Sequence, residues 1–327
     1  MNQSQKQEIR RITAPANRPI YSIDTSSNSK LLAIGQQSGP NNSATLSMIN
    51  IQNEDIVYII EKTKNKTGSV YQVIFNPHKD ELFYVLQRSS DFQLKVFNID
   101  GKRSSKVLHE DDPSISTGLS LDSSGKYLII SSDKIIKILE TERYKASKTI
   151  PLQRIRFDEA NDAEFTISST ISPNAKYVAI GGVEEGHVLL YDLEDGSRLR
   201  TLNGPFGRAS QIRFDRASKY IAAMDFYGHG IFMWEVSTGK RYLEDIFNED
   251  MPLTYSIRFS YANHHFAAGL VNSYVILYDL ISGEELLADK FHEGRVTDIC
   301  FSKDGKLLIS AGEDNQICIR YLDERGT

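Results

Sequence analysis

The clearest pattern of apolar and polar positions lies near the end of the chain, between Arg295 and Tyr321. Three short apolar runs, Ile299–Phe301, Leu307–Ser310 and Ile317–Ile319, are separated by polar turns that contain Lys-Asp-Gly and Glu-Asp-Asn. Short apolar runs bounded by turn residues are typical of β-strands joined in antiparallel order. The pattern therefore predicts three strands of a four-stranded antiparallel sheet whose last strand is missing.

The same pattern recurs along the whole chain. In each copy a polar residue closes the first turn, just before the second apolar run. The seven positions are Lys30, Glu81, Lys126, Lys176, Lys219, His264 and Lys306. Their spacings are 51, 45, 50, 43, 45 and 42 residues. Small sheets repeated at a period of ~40–45 residues are typical of a β-propeller, and the longer spacings are expected to lie in loops.

A second landmark ends each third apolar run, where an apolar or aromatic residue precedes an acidic or amide residue. The six pairs and a degraded seventh are Ile49-Asn50, Phe97-Asn98, Leu139-Glu140, Tyr191-Asp192, Trp234-Glu235, Tyr278-Asp279 and Arg320-Tyr321. This position resembles the Trp-Asp dipeptide of WD-repeat proteins, although no copy has the literal dipeptide. The resemblance covers about residues 16–322. It implies an all-β fold, a seven-bladed β-propeller of four-stranded antiparallel blades.

The last copy carries a further family feature in His292, Ser310 and Asp314. In WD repeats such residues form a buried hydrogen-bonded set that a tryptophan completes, and here Arg320 stands at that place. The resemblance therefore implies a structural role, in which the polar groups satisfy one another inside the blade. A hydrolase triad is the alternative for these residue types. It is disfavoured because the trio lies inside a blade and no G-x-S-x-G motif occurs.

The missing strand of the last blade is expected from the N-terminal segment Lys6–Ala14. An open sheet edge invites aggregation, so a pairing segment is needed there. Ile9 and Ile12 bracket two arginines, and the segment is by count the strand that the blade lacks. We predict that residues 1–15 close the ring and that residues 1–327 form a single propeller domain.

Composition restricts the classes of partner. The chain is 40% hydrophobic and 25% charged, with a formal net charge of −5, which argues against a dedicated nucleic-acid binder. No run of residues approaches the ~18 apolar positions of a membrane span, and the first residues are polar throughout. Cys300 and Cys318 are expected on the first and third strands of one blade, too far apart to bridge. These features favour an intracellular, cytoplasmic protein, with a nuclear location as an alternative.

Residues with catalytic potential are sparse. The sequence has no H-E-x-x-H, P-loop, C-x-x-C or EF-hand motif. Propeller enzymes that bind a divalent metal in the central channel need carboxylates on several innermost strands. The predicted channel row is Tyr21, Gln72, Gly118, Ser168, Gln211, Ser256 and Asp298. Because Asp298 is its single carboxylate, we expect no cofactor and no metal.

The same row is a candidate recognition surface, since it begins the innermost strands near the narrower face of the ring. The turns between second and third strands should open on that face too. Phe226 and Tyr227 stand out among them, although packing on the neighbouring blade is an equal alternative. The candidate partner-binding residues are Tyr21, Gln72, Arg88, Gln211, Phe226, Tyr227, His229 and Asp298.

The function predicted from these patterns is a non-enzymatic scaffold that binds a peptide or a subunit of a larger complex. We expect protein or peptide partners, no nucleic acid and no membrane, with a monomeric propeller inside a hetero-complex. The alternative is a propeller enzyme of the lactonase or metal-dependent hydrolase type. A lipid-headgroup reader is third, because the single Arg-Arg pair, Arg10-Arg11, is followed by Ile12 and not by glycine.

Overall fold

The computed structural model describes residues 9–38, 44–62, 68–88, 91–101, 106–109, 115–132, 135–151, 168–181, 186–204, 209–225, 230–244, 246–247, 250, 252–261 and 264–322. Regular structure in this part of the chain is entirely β, with 27 strands and no helix. The strands form seven antiparallel sheets, which we number as blades in chain order.

The chain enters through β1 (Arg10–Thr13) and then builds four complete blades. Blade 1 comprises β2 (Ile20–Thr25), β3 (Leu31–Gln36), β4 (Ala44–Asn50) and β5 (Ile56–Lys62). Blade 2 comprises β6 (Gly68–Phe75), β7 (Glu81–Arg88), β8 (Asp91–Asn98) and β9 (Lys106–His109). Blade 3 comprises β10 (Ile115–Leu121), β11 (Tyr127–Ser132), β12 (Ile135–Glu140) and β13 (Lys145–Pro151). Blade 4 comprises β14 (Ser168–Ile171), β15 (Tyr177–Gly181), β16 (His187–Asp192) and β17 (Arg198–Asn203).

The remaining strands form three further blades. Blade 5 comprises β18 (Ala209–Phe214), β19 (Tyr220–Asp225) and β20 (Ile231–Glu235). Blade 6 comprises β21 (Thr254–Phe259), β22 (His265–Leu270), β23 (Tyr274–Asp279) and β24 (Glu285–Lys290). Blade 7 comprises β25 (Val296–Phe301), β26 (Leu307–Gly312) and β27 (Gln316–Tyr321), with β1 as its fourth strand. Each second strand begins at or directly after one of the seven polar positions that the sequence singles out, so the predicted repeat is confirmed.

The ring is closed by the N-terminal strand, as the sequence predicts. β1 pairs antiparallel with β27, and Arg10, Arg11 and Ile12 lie opposite Ile319, Cys318 and Ile317. The innermost strands contact one another around the ring, and β25 of the last blade contacts β2 of the first. The observed strand is shorter than the predicted segment, whose residues 6–8 lie outside the described part.

Blade 5 has fewer strands within the described residues than the other six blades. Its sheet has three strands, and the described residues that follow make one isolated bridge, between Trp234 and Arg241. The Arg241 guanidinium lies 4.8 Å from the Phe232 ring centroid and donates to the carbonyl of Phe247 at 2.6 Å. Phe247 is fully buried against Phe266 of blade 6. The buried ring therefore attaches the segment after β20 to blade 6.

The hydrophobic core is divided into layers between neighbouring blades. Successive side chains on a strand point to opposite faces of its sheet, so each blade offers one apolar face to each neighbour. Among the described residues, seven clusters of buried side chains result, one at every blade-to-blade interface. Ile12 and Ala14 of the N-terminal segment belong to the cluster between blades 7 and 1. This arrangement leaves the middle of the ring to polar side chains of the innermost strands.

Candidate recognition site at the channel mouth

A β-bulge near the start of the innermost strand shapes the mouth of the central channel. We call the side of the ring on which the innermost strands begin the front face, and the opposite side the back face. The pairing of first and second strands shifts by at least one residue at this point in blades 1, 2, 3, 5, 6 and 7. A bulge re-aims a side chain and leaves it outside the regular ladder. Two adjacent rows of residues with different surroundings result.

A row that we call the seam row consists of Ser22, Gln72, Gly118, Ser168, Gln211, Ser256 and Asp298. Its members in blades 1, 2, 6 and 7 come directly after the bulge, whereas in blade 5 Gln211 is itself the extra residue of the bulge. The seam row differs at one position from the predicted channel row, which has Tyr21 in blade 1. The register places Ser22 opposite Gly35, as Ser256 lies opposite Gly269. Tyr21 is the extra residue of the bulge, so the prediction of this row was wrong by one residue in that blade.

Side chains of the seam row bind the backbone of the next blade. The Leu119 amide donates to Oε1 of Gln72 at 2.6 Å, and the Ile257 amide donates to Oε1 of Gln211 at 2.7 Å. The remaining bonds of this kind are Ile212 N to Ser168 Oγ at 3.1 Å, Val73 N to Ser22 Oγ at 3.3 Å and Ile23 N to Asp298 Oδ2 at 2.9 Å. Because backbone groups away from water need partners, these bonds hold adjacent blades together.

Asp298 is the charged member of the seam row and is 4% exposed. Besides the Ile23 amide, its carboxylate accepts hydrogen bonds from Arg258 Nη2 at 3.0 Å and from Ser256 Oγ at 3.2 Å. The amide of Ile299 donates to it at 2.9 Å. A buried carboxylate with this many donors is fully compensated. The sequence analysis assigns Gln72, Gln211 and Asp298 to partner binding. In the structure their side-chain oxygens accept hydrogen bonds from backbone amides of the next blade.

In blades 1, 2 and 6 the bulge residue is a tyrosine, one position before the seam row, and these tyrosines, which we call the bulge row, reach the front face. Tyr21 and Tyr71 stack with ring centroids 4.9 Å apart and planes 5° from parallel. Phe92 of β8 packs against Tyr71, with centroids 6.1 Å apart. Tyr255, which is 41% exposed, lies under the Arg295 guanidinium at 4.8 Å. We call Tyr21, Tyr71, Phe92, Tyr255 and Arg295 the tyrosine rim.

Electrostatics at the tyrosine rim keep the phenol of Tyr21 neutral. Burial raises the pKa of Tyr21, and the neighbouring Tyr71, Tyr255 and Glu313 raise it further. Tyr21 therefore remains a hydroxyl at neutral pH and offers both a donor and an acceptor. Arg295 Nε lies 3.5 Å from Oε1 of Glu313, and both side chains are more than a third exposed. Such an exposed pair contributes little to stability and leaves the guanidinium accessible.

For four of the predicted partner-binding residues, the side chain lies outside the described part of the structure. Arg88 ends β7, and its side chain lies outside the described part of the structure. Phe226, Tyr227 and His229 belong to the turn between β19 and β20, which also lies outside it. Their role in partner binding stays a prediction.

Sequence reasoning missed Tyr71, Phe92, Tyr255 and Arg295. The sequence does contain a signal for the tyrosines. Three innermost strands have a tyrosine at the same place, in the stretches Tyr-Ser-Ile-Asp, Tyr-Gln-Val-Ile-Phe and Tyr-Ser-Ile-Arg-Phe. The recurring tyrosine lies one position before the seam row in blades 2 and 6. Recognising it required the bulge, since an ideal strand would point that residue into the blade interface.

The His292, Ser310 and Asp314 side chains form a hydrogen-bonded chain in blade 7. His292 Nε2 lies 2.7 Å from Ser310 Oγ, and Nδ1 lies 3.0 Å from Asp314 Oδ1. His292 is 2% exposed and Ser310 is fully buried. Burial alone would raise the pKa of Asp314, but hydrogen bonds from His292 and from backbone amides outweigh it and lower the pKa. A serine hydroxyl without access to solvent has no route to a substrate.

The position that a tryptophan holds in WD repeats is used differently in two blades. Arg320 of blade 7 is buried and donates from Nη1 to Oδ2 of Asp289 on β24 at 2.8 Å. Trp234 of blade 5 donates from Nε1 to the carbonyl of Asn203 on β17 at 3.1 Å. Both side chains therefore connect their blade to the outer strand of the preceding one. Arg320 replaces an indole hydrogen bond by a buried ion pair.

Cysteine and metal chemistry at the described residues is limited. Cys300 and Cys318 are free and buried. Burial raises the pKa of Cys318 to about 12 and that of Cys300 well above its usual value, so both are thiols. In the described ranges, no cluster of three or more His, Cys, Asp or Glu side chains has the arrangement of a metal site. The same ranges contain no helix with the length and apolarity to span a membrane.

Comparisons with known proteins agree with this architecture. A family model described as "WD domain, G-beta repeat" matches residues 284–320, which cover β24 to most of β27. The chain is thus a seven-bladed β-propeller whose last blade matches a WD repeat. A chain in the crystal structure of a mitotic checkpoint complex aligns with a TM-score of 0.77 over 99% of this propeller and 98% of that chain, at 14% identity.

Curated relatives of the propeller share parts of its sequence. The WD repeat-containing protein SL1-17 of Schistosoma mansoni is 30% identical over 133 residues, which are 41% of this chain and 43% of that protein. Transcription initiation factor TFIID subunit 5 of Caenorhabditis elegans is 25% identical over 214 residues, 65% of this chain and 30% of that protein. The matched regions thus span less than half the length of these relatives.

Proposed function

We propose that this WD-repeat propeller is a non-enzymatic scaffold that binds a protein or peptide partner through the tyrosine rim on its front face. The observation that carries the proposal is the recurrence of tyrosine at the bulge position of three blades. Tyr21, Tyr71 and Tyr255 come from strands far apart in the chain, yet all three reach the channel mouth. Arg295 adds a guanidinium beside them.

The residue types of the rim are those that contribute most to interface energy. Tyrosine and arginine are enriched among the residues whose truncation weakens binding most, because each buries a large surface and still makes a hydrogen bond. The stacked Tyr21–Tyr71 pair and the Arg295–Tyr255 pair have defined geometries before any partner arrives. A partner would therefore bind without ordering these side chains, and less conformational entropy is lost.

The seam row supports the rim from below. Gln72 lies next to Tyr71 in the chain, and its side chain is bonded to the backbone of blade 3. Asp298 is bonded to the backbone of Ile23, close to Tyr21. The bulge residues are thus mounted on strands that are connected to their neighbours, which makes the front face a rigid platform.

The relatives support a role in assemblies. One is a subunit of a transcription initiation factor, and a structural neighbour with the same fold lies in a mitotic checkpoint complex. Those assignments belong to those proteins. For this chain they favour a scaffold over an enzyme, without naming the partner.

The arrangement of polar groups also favours a scaffold over the lactonase-type alternative. Asp298 is the single carboxylate of the seam row, and it is surrounded by donors from Arg258, Ser256 and two backbone amides. The Ser310 hydroxyl is fully buried in the chain with His292. Neither group is arranged to reach a substrate in the channel.

The test is affinity purification of the tagged protein at native levels, comparing the wild type with Tyr255→Ala and Arg295→Ala. A matched control is Tyr321→Ala, because Tyr321 is 51% exposed and ends β27 on the back face. We expect a stoichiometric partner that is depleted in the rim variants and retained by the control. If all variants recover the same amount of partner, the binding site does not lie at the tyrosine rim. Measurable hydrolase turnover without a stable partner would contradict the proposed scaffold function.

A further inference from the structure

The back half of the central channel has a different chemistry from its mouth. Two positions after each seam residue, the innermost strands direct a second set of side chains toward the channel. The members that line its cavities are Asp24, Ile74, Ser120, Thr170, Arg213 and Arg258. Lys303, from the first turn of blade 7, joins them at the back opening. The set contains three cations in a protein whose net charge is −5.

Two of these cations are neutralised within the channel. Lys303 Nζ lies 3.3 Å from Oδ1 of Asp24, and Arg258 Nη2 lies 3.0 Å from Oδ1 of Asp298. Burial alone would lower the pKa values of both cations, but the carboxylates outweigh it and raise them. Each of these two charges therefore has a partner inside the protein.

Arg213 is the third cation. Among the described residues no carboxylate oxygen lies within ion-pair distance of it, although Asp298 attracts it from farther away. Its Nη1 donates to the carbonyl of the preceding residue, Ile212, at 2.9 Å. Its Nε is shielded from solvent and has no hydrogen-bond partner. Among the described residues the guanidinium makes no ion pair, and Arg258 on the next blade is a like charge. Burial, followed by the repulsion of Arg258, lowers the pKa of Arg213 to about 9, so it still carries its charge at neutral pH.

A cavity of about 130 Å³ lies between this guanidinium and the back face. The hydroxyls of Ser120 and Thr170, which lie 3.1 Å apart, are on its wall together with Arg213, Arg258 and Lys303. Guanidinium and hydroxyl groups on one wall are the donors that bind phosphate and carboxylate oxygens. Asp122 and Arg216 line the same cavity. Four cations (Arg213, Arg216, Arg258 and Lys303) therefore face three carboxylates (Asp24, Asp122 and Asp298), which leaves one positive charge in excess.

We propose that the back half of the channel binds a small oxyanion, a phosphate or carboxylate group, with Arg213 as its main ligand and Thr170 as a second donor. An unpaired buried charge is costly, and the bound anion would supply the counter-charge that the protein lacks. The back face is the route of approach, since the cavity is lined by the turns that follow the innermost strands. This site is separate from the tyrosine rim and does not depend on the proposed protein partner.

The test uses inorganic phosphate and acetate as probes for the two oxyanion classes, with chloride at matched ionic strength as the reference. Binding to the purified full chain is measured by calorimetry and by the change in Tm, because a ligand of the native state raises Tm by mass action. We expect phosphate, acetate or both to bind and to raise Tm above the chloride reference. The anion that binds more tightly identifies the class of ligand.

Matched variants decide whether the channel is the site. Arg213→Met is expected to weaken oxyanion binding at least about tenfold, since it removes a buried charged partner. Lys219→Met removes the same charge from an exposed position on the back face and should leave binding unchanged. If Arg213→Met does not fold, Thr170→Val replaces the methyl and hydroxyl by two methyls and should still weaken binding several-fold.

Three outcomes would overturn the proposal. The first is that neither oxyanion binds more tightly than chloride, which would leave Arg213 hydrated by water. The second is equal affinity in the wild type and Arg213→Met. The third is equal weakening in Arg213→Met and Lys219→Met, which would indicate screening by net charge and not a site.

Discussion

On the innermost strands, residues of the seam row and tyrosines of the tyrosine rim are neighbours in sequence. The seam residues make hydrogen bonds between blades, whereas the tyrosines lie at the front face. The side-chain oxygen of Gln72 accepts a hydrogen bond from the Leu119 amide of the next blade, while Tyr71 stacks on Tyr21 at the front face. Gln211 and Tyr255 are joined more loosely, by a bond of 3.5 Å from Gln211 Nε2 to the carbonyl of Tyr255. One strand therefore serves stability and recognition at adjacent positions.

The contrast teaches what the bulge contributes. In an ideal strand the residue before Gln72 would point away from the channel, into the packed layer between blades. The extra residue of the bulge turns it out toward solvent without breaking the ladder on either side. Substitutions in the seam row should thus change stability, and substitutions in the bulge row should change binding. The following predictions test that division, beginning with the largest expected effect.

Replacing Asp298 by alanine should cost about 3–5 kcal/mol of unfolding free energy. The change leaves Arg258 buried without a counter-charge and the Ile23 amide without an acceptor. Urea denaturation at neutral pH measures the loss of unfolding free energy. Asp298→Asn keeps an acceptor oxygen, so its loss should be smaller than that of the alanine variant. A loss below about 1 kcal/mol for alanine would show that the seam row does not hold the blades together.

Replacing Gln211 by alanine should cost about 1–3 kcal/mol, because the Ile257 amide loses its acceptor in a shielded position. Its neighbour in the bulge row provides the matched comparison. Tyr255→Ala removes an exposed ring and should change stability by no more than about 0.5 kcal/mol. Thermal unfolding measures the stability of both variants. If Gln211→Ala and Tyr255→Ala destabilise the protein equally, the two rows do not differ in their contribution to stability.

The stacked Tyr21–Tyr71 pair should show a coupling energy of about 0.5–1.5 kcal/mol in a double-mutant cycle to alanine. The coupling would show that the rim is ordered in the free protein. Unfolding free energies of the two single variants and the double variant give the value. Additive losses would mean that the two rings do not stabilise each other, and the argument for a preformed docking surface would weaken.

The hydrogen-bonded set of blade 7 lies on the front face but is buried, so it should behave like the seam row. The pKa of Asp314 is lowered in the folded protein, which means that its contribution is present above the unfolded value of about 3.9 and is lost as pH falls below it. Wild-type stability should therefore decrease more steeply than that of Asp314→Asn from about pH 4 downward. Parallel pH dependences of Tm would contradict a stabilising role for the carboxylate.

Much of the fold could be predicted from local patterns. The seven polar positions before the second strands, from Lys30 to Lys306, mark the second strands of the blades, and Ile9 and Ile12 indicated the strand that closes the ring. The failures have local causes. The row containing Tyr21 was displaced by a bulge. In blade 5 three strands lie within the described residues, and Phe247 of the following segment packs in the layer against blade 6.

The sequence by itself determined the number of blades, the order of their strands and the polar character of the channel, because these follow from periodicities within about 45 residues. Only the tertiary structure decided which polar groups meet. The Ile23 amide and the Asp298 carboxylate are 275 positions apart, and their bond exists because the ring closes. The same closure places Arg213 on the wall of the channel cavity, and it gathers Tyr21, Tyr71 and Tyr255 at one mouth. Contacts of this kind depend on the geometry of seven packed sheets, which no local pattern specifies.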